Sequence, residues 1–161
     1  MYKMRDLLGK KVLSKYGKLL GVVDDLIINI NDRRVEGIKV KEKGVLNKKF
    51  YVMDDDILYI GLNVIIKDKR KGIYFTFKDM KLMEVYNLNG DIIGIVEDIN
   101  FSFSDFTLNS IIISEGFLKN YSKGKRIILL KDIIVGDDNI IYIQKNPYYC
   151  YSKIHGVNEN E

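Results

Sequence analysis

One pattern of glycine, acidic and aliphatic residues occurs twice in this chain of 161 residues. The segment Lys11–Val40 aligns without a gap with Glu84–Ile113, at an offset of 73 positions. Seven of the 30 aligned pairs are identical, namely Val12/Val85, Gly17/Gly90, Gly21/Gly94, Val23/Val96, Asp25/Asp98, Asp32/Asp105 and Ile38/Ile111. A gapless match of this length predicts two homologous units that fold in the same way.

The residues of each unit favour β-structure. The chain has no Ala but 24 Ile and 12 Val, so the best helix former is missing while β-branched residues, which suit strands, dominate. Between Leu20 and Ile30 every second residue is apolar apart from Asp24, which is typical of a long strand with one apolar face. Five or six such short strands in about 60 residues predict an all-β fold, with each unit closed into a small barrel that leaves no sheet edge exposed.

Four glycines of the repeat mark two kinds of position. Gly17 and Gly90 lie in predicted turns, where glycine adopts a positive φ at low cost. Gly21 and Gly94 lie inside predicted strands, where glycine marks a bulge or the close approach of another backbone. We therefore expect a side chain at Gly21 or Gly94 to destabilise its own unit strongly.

The repeat also predicts the domain boundaries. Residues 1–70 form the first unit and residues 79–146 the second, and residues 71–78 join them. The alternating aromatic residues of Ile73–Phe77 predict that this linker is a strand. Residues 147–161 form a C-terminal tail, which we expect to fray beyond Ser152.

Charge and cysteine content restrict the class of protein. The net charge is +4, from 26 Lys and Arg against 22 Asp and Glu, which is mild compared with many nucleic-acid binders. The longest uncharged stretch, Ile57–Ile66, is too short to cross a membrane, and the N-terminus shows no apolar segment of a secretory signal. A single Cys cannot form an internal disulfide. We expect a cytoplasmic protein without a membrane span.

The most repeated polar feature is a pair of adjacent acids, Asp24 and Asp25 in the first unit and Glu97 and Asp98 in the second. A metal or proton site is one interpretation. However, neighbouring residues on a strand point to opposite faces, so the two carboxylates of a pair cannot hold one ion together. We favour a structural role, in which Asp25 and Asp98 interact with backbone or basic groups.

Other candidate chemistry lacks the required spacing. The acidic runs Asp54–Asp56 and Asp137–Asp138 have neither the ligand pattern nor the glycine of a calcium loop, which indicates solvated turns. Cys150 and His155 lie in the predicted tail, which offers neither the rigid partner nor the oxyanion site that a nucleophilic pair needs. The sequence therefore predicts no catalytic residues, no metal ligands and no cofactor.

Basic residues cluster in corresponding loops of the two units and in the linker. If they gather on one side they can bind phosphate groups, with Phe117 or Tyr121 available for stacking. The alternative, which we favour, is that they keep loops and strand edges soluble. The residues of this candidate basic surface are Lys41, Lys43, Lys48, Lys49, Lys69, Arg70, Lys71, Lys123, Lys125 and Arg126.

Two segments resemble a known family. Leu7–Val40 reads LLGKKV, then YGKLLGVVDDLIIN, then VEGIKV, and Asn89–Asp98 repeats the centre of this pattern as NGDIIGIVED. Both are similar to the PRC-barrel domain, in tandem. The second unit departs from the family pattern in the returning strand, where Ser110 stands in place of Gly37.

The resemblance implies two small β-barrels in tandem and a function in binding. PRC-barrel domains occur in the photosynthetic reaction-centre H subunit, in a ribosome maturation factor and in stand-alone proteins, several of which are linked to sporulation in spore-forming Gram-positive bacteria. The family carries over no catalytic residues. We expect a non-enzymatic adaptor for protein partners with a link to sporulation, and the alternative is an RNA- or ribosome-associated factor that uses the basic loops. An enzyme or ion-handling domain built on Asp25 and Asp98 is the third hypothesis.

Overall fold

The computed structural model describes residues 2–44, 48–116 and 124–144, and the backbone of residues 150–152. The chain divides into two compact units. Unit 1 comprises Met1–Asp79 and Asn100–Leu108, and unit 2 comprises Met80–Ile99 and Asn109–Glu161. These units differ from the predicted boundaries 1–70, 71–78 and 79–146, because the linker and residues 100–108 both belong to unit 1.

The described part of unit 1 consists of short strands joined by turns. They are β1 (Tyr2–Lys3), β2 (Lys11–Ser14), β3 (Leu19–Asn29), β4 (Arg34–Glu42), β5 (Lys49–Met53), β6 (Ile57–Ile60) and β7 (Val64–Ile66), with 3-10 turns at Met4–Asp6 and Asp54–Asp56. One helical turn, α1 (Phe77–Met80), begins at the end of the linker. The main sheet has the order β5-β4-β3-β2-β7-β6, and β2 and β7 are its one parallel pair among the described strands.

Unit 2 repeats this arrangement strand by strand. Its strands are β8 (Glu84–Tyr86), β9 (Ile92–Phe101), β10 (Leu108–Ser114), β11 (Lys125–Leu129), β12 (Ile133–Val135), β13 (Asn139–Tyr142) and β14 (Cys150–Ser152), with a 3-10 turn at Leu130–Asp132. The order is β12-β13-β8-β9-β10-β11-β14. Apart from the additional β14, this is the order of unit 1, and β13 and β8 again run parallel.

Individual hydrogen bonds recur at the sequence offset of the repeat. The Val23 amide donates to the Lys10 carbonyl at 2.9 Å, and the Val96 amide donates to the Met83 carbonyl at the same distance. The register also recurs, because Lys11 and Val12 face Val22 and Gly21, as Glu84 and Val85 face Ile95 and Gly94, with a bulge after each. The predicted all-β class and the predicted internal repeat are therefore confirmed.

Residues 100–108 belong in sequence to the second repeat but fold as part of unit 1. Lys3 and Tyr2 in β1 pair antiparallel with Asn100 and Phe101 at the end of β9. The Leu108 amide donates to the Arg33 carbonyl at 2.8 Å. These bonds satisfy backbone groups that the hairpin between β9 and β10 would otherwise present unpaired.

Among the described strands the hydrogen-bonded sheets are open, so the predicted closure of each unit into a barrel is wrong. In unit 1 the order of the described strands ends at β5 on one side and β6 on the other. The β5 edge is covered instead by the residues just before the linker, because Tyr51 and Arg70 exchange backbone hydrogen bonds of 2.9 and 2.7 Å. In unit 2, β14 covers β11 in the same way and places Cys150 opposite Ile127. Covering an edge serves the same purpose as closing a barrel.

The two units have matching cores. Five residue pairs that the repeat aligns are all at most 2% exposed, namely Val12/Val85, Val23/Val96, Leu26/Ile99, Ile38/Ile111 and Val40/Ile113. Complete burial of each such side chain stabilises its unit by about 1.5–3 kcal/mol. The aliphatic interior that the alternating pattern predicts is thus present twice.

The predicted linker strand at residues 71–78 is present only as one bridge. Thr76 pairs with Ile27 of β3, and α1 begins at the next residue. Ile73 is fully exposed while Tyr74 is half-buried. The apolar residues of the linker therefore make separate contacts with unit 1 and do not form a continuous strand. In the described ranges, no helix has the length and apolar character that are needed to cross a membrane.

Candidate binding surfaces

Two repeat glycines lie where neighbouring strands approach closely. A Cβ atom at Gly21 of β3 would lie 2.1 Å from the carbonyl oxygen of Lys41 in β4. At Gly94 of β9 the corresponding distance to the Ser114 carbonyl oxygen in β10 is 2.8 Å. Gly17 and Gly90 lie in turns at φ +80° and +84°. These four positions therefore determine the geometry of the sheets and turns. Because glycine has no side chain, they offer no group for binding or chemistry.

Asp25 is fully buried in unit 1 and holds the linker against β3. Its carboxylate accepts the backbone N–H of Leu26 at 2.9 Å and that of Lys78 at 3.1 Å. Burial raises the pKa of Asp25, against the opposing effect of hydrogen bonds from Thr76, Leu26 and Lys78. Asp25, a candidate for a metal or proton site in the sequence, therefore serves as a structural acceptor of backbone hydrogen bonds.

Asp24 lies beside Asp25 but points towards two lysines. The Lys78 ammonium lies 3.0 Å from one carboxylate oxygen and the Lys49 ammonium 3.4 Å from the other. Partial burial raises the pKa of Asp24, but the hydrogen bonds and charges of Lys78 and Lys49 outweigh it and lower the pKa overall. The two acids thus point to different partners, as the strand geometry predicts.

The raised pKa of Asp25 leads to a pH-dependent stability. Folded Asp25 holds its proton more tightly than the unfolded chain does at its ordinary value of 3.8, so its contribution to the free energy of unfolding falls as pH rises from that value through the raised pKa. Asp25→Asn removes this titration. Chemical denaturation of both proteins from about pH 3 to pH 7 should show wild type losing stability relative to Asp25→Asn and then levelling off. A constant difference across that range would contradict the assignment.

The acid pair of unit 2 is also engaged in structure. Lys125 of β11 forms an ion pair with Glu97, which corresponds to the pair between Lys49 of β5 and Asp24 in unit 1. The half-buried Asp98 accepts the backbone N–H of Ile99 at 2.9 Å. Within the described ranges no three His, Cys, Asp or Glu side chains lie close enough together to hold a metal ion.

The acidic run Asp54–Asp56 in unit 1 forms ion pairs and is not simply a solvated turn. Asp54 forms an ion pair with Arg34 at 2.9 Å, and the buried Asp56 forms one with Arg70 at 3.2 Å. Asp137 and Asp138 in unit 2 are exposed in the turn before β13. Cys150 lies in β14, where only the backbone is described, and His155 lies outside the described residues.

The predicted basic residues of unit 1 fall into two groups. Lys49, Lys69 and Arg70 are paired with Asp24, Glu42 and Asp56 respectively. Those that are exposed and form no ion pair with a described residue are Lys41, Lys43, Lys48 and Lys71. Lys41 of β4 lies directly opposite Lys49 of β5, so their side chains leave the same face of the sheet.

Unit 2 does not repeat this basic surface in its described part. Lys125 is paired with Glu97. Arg126 is buried, with 8% exposure, and forms an ion pair with Glu115 at 2.6 Å. Its counterpart in unit 1 is the buried Phe50, so Arg126 replaces a core aromatic residue. Lys123, together with Phe117 and Tyr121, lies outside the described residues.

Sequence reasoning missed an aromatic cluster beside the basic residues of unit 1. The rings of Tyr51 and Tyr74 lie 4.8 Å apart at an angle of 56°. The Lys39 ammonium lies 5.9 Å from the Tyr51 ring centre, within the range of a cation–π contact. Lys39 and Tyr51 face each other across β4 and β5. The sequence feature that could have indicated this cluster is the run of apolar and aromatic residues in the linker, which includes Tyr74. However, a sequence pattern does not reveal which strand such a residue contacts.

Comparison with known proteins agrees with the repeat. The family model described as the PRC-barrel domain matches residues 1–81 and again residues 72–145. No curated protein matches the chain.

Proposed function

Because this chain belongs to the PRC-barrel domain family and carries the domain twice, we propose that it is a non-enzymatic adaptor that binds protein partners. One observation supports this most: the repeated acid pairs, which are the best candidates for chemistry, are occupied by backbone and lysine groups in both units. Two linked domains increase the effective concentration for a paired target, which favours a role in assembly.

The test of this proposal is reconstitution with a purified partner. The tagged full chain would be used to isolate proteins from its native host, and the candidate would then be purified and titrated against the chain by calorimetry. We expect a protein partner that binds at a fixed ratio. If no purified protein binds the chain, the adaptor proposal is wrong.

A second candidate function is binding to RNA through the basic face of unit 1. Lys41 and Lys49 stand side by side, and Lys39 contacts the Tyr51–Tyr74 pair on the neighbouring strands. Lysines beside aromatic rings suit a single-stranded nucleic acid.

A salt titration separates RNA binding from the adaptor function. If RNA binds, the logarithm of its affinity should fall steeply with the logarithm of salt concentration, and Lys41→Gln/Lys48→Gln should reduce that slope by about 1.4, or about 0.7 for each lost contact. Lys131→Gln, at an exposed position of unit 2, is the matched control and should leave the slope unchanged. Absence of binding at about 50 mM salt would remove this candidate.

We further propose that the protein works in the cytoplasm and in sporulation. Both rest on the resemblance to stand-alone family members and on the sequence. Deletion of the gene in its host should lower the yield of heat-resistant spores while leaving vegetative growth unchanged. An unchanged spore yield would contradict the proposed role in sporulation and leave the adaptor function standing.

A further inference from the structure

An exposed row of apolar side chains crosses four neighbouring strands of unit 2. Ile134 pairs with Ile141, Ile141 with Tyr86, and Tyr86 with Ile92. Directly paired residues leave the same face of a sheet, so these four side chains form one continuous row. Ile134, Ile141 and Ile92 are 55%, 39% and 56% exposed. We call these four residues the second row. Exposed apolar residues that adjoin one another in this way are candidates for an interaction site.

The same row exists in unit 1 at corresponding positions. Tyr59 pairs with Ile65, Ile65 with Leu13, and Leu13 with Leu19. Tyr59 is 58% exposed, and the other three side chains are half-buried. We call these residues the first row. The duplication therefore produced two similar apolar surfaces in one chain.

The charges beside the two rows are opposite. Lys11 lies two residues before Leu13 on β2, and the repeat aligns it with Glu84, which lies two residues before Tyr86 on β8, so each charge shares the sheet face of its row. Both side chains are exposed, and neither forms an ion pair with a described residue. The wider charge follows the same division, because unit 1 has 18 Lys and Arg against 12 Asp and Glu, whereas unit 2 has 8 against 10.

We propose that the chain binds a second copy of itself, with the first row of one copy against the second row of the other. The apolar rows provide the buried contact, and the lysine of one rim faces the carboxylate of the other. First row against first row, or second against second, would place like charges together, which disfavours those pairings. The charge inversion thus selects the unlike pairing, and this proposal is independent of the adaptor function.

The first measurement is the mass of the full chain in solution. Sedimentation equilibrium from about 5 to 200 µM should give an average mass that rises with concentration above the 18.7 kDa of one chain. A mass of one chain throughout this range would overturn the proposal without affecting the adaptor function.

Charge reversal then tests the pairing itself. Glu84→Lys makes both rims basic, and Lys11→Glu makes both acidic, so each variant alone should associate about tenfold more weakly. An equimolar mixture of the two variants should recover association. Asp55→Lys, at an exposed position that belongs to neither row, changes the net charge as much as Glu84→Lys does and should associate like wild type. If the mixture fails to recover, or the control weakens equally, the assigned surfaces are wrong.

The apolar contribution has its own matched pair of variants. Ile92→Thr/Ile134→Thr keeps β-branched residues in both strands but removes apolar surface, and should weaken association about tenfold. Leu129→Thr changes an aliphatic residue of β11 that is 45% exposed but lies outside the row, and should leave association unchanged. Equal effects of both variants would contradict a contact centred on the second row.

Discussion

Replacing Gly21 with Val is expected to lower the melting temperature of unit 1 by about 20 °C, because a loss of about 4 kcal/mol is large for a domain of this size. The new Cβ would lie 2.1 Å from the Lys41 carbonyl oxygen and 3.0 Å from a methyl group of Val40. The first contact is with backbone, so β3 and β4 must separate to relieve it. Thermal denaturation followed by circular dichroism measures the effect.

The other glycines of the repeat provide the controls for this prediction. Gly94→Val should also destabilise unit 2 strongly, because the φ of +153° at Gly94 opposes a side chain in addition to the 2.8 Å contact. At Gly17 no atom lies within 4 Å of the new Cβ, and only the positive φ of +80° opposes a side chain. Gly17→Ala should therefore cost about 1–2 kcal/mol. If Gly21→Val melts like wild type, the close approach of β3 and β4 is wrong.

Replacing Asp25 with Leu is expected to destabilise unit 1 by about 3 kcal/mol. The substitution leaves the buried N–H groups of Leu26 and Lys78 without their acceptor, and each unsatisfied donor costs about 1–3 kcal/mol. Part of this cost is offset because a buried carboxylate no longer has to be desolvated. Urea denaturation of the two proteins at neutral pH measures the difference.

Asp98→Leu is the matched control at the equivalent position of unit 2. Asp98 is half-buried, so in the variant water can replace part of the hydrogen bonding that its carboxylate provides to the backbone N–H of Ile99. We expect a loss of about 1 kcal/mol, well below that of Asp25→Leu. Equal losses at the two positions would show that burial is not what makes Asp25 important.

The sequence was sufficient to predict features that depend on local pattern and on the repeat. The alternation in Leu20–Ile30 predicted the strand observed as β3, Leu19–Asn29. Gly21 and Gly94, singled out as glycines within strands, are positions where the backbone of the neighbouring strand leaves no room for a side chain. These features follow from side-chain periodicity and from steric limits, which a sequence records directly.

Features that depend on distant contacts could not be predicted. The pairing of Tyr51 with Arg70 replaces the expected barrel closure, and no pattern in either segment identifies its partner. Arg126 was assigned to an exposed basic surface but is buried against Glu115. Its burial follows from its alignment with Phe50 in β5, and this signal is clear only once the strand register is known.

The central claim is that one fold is present twice, and amide hydrogen exchange in the full chain tests it most directly. The Val23 and Val96 amides make equivalent hydrogen bonds, to Lys10 and Met83, each at 2.9 Å. Measured by NMR, both amides should exchange slowly, together with their neighbours in β3 and β9. Slow exchange in one repeat and rapid exchange at the aligned positions of the other would contradict a duplicated fold.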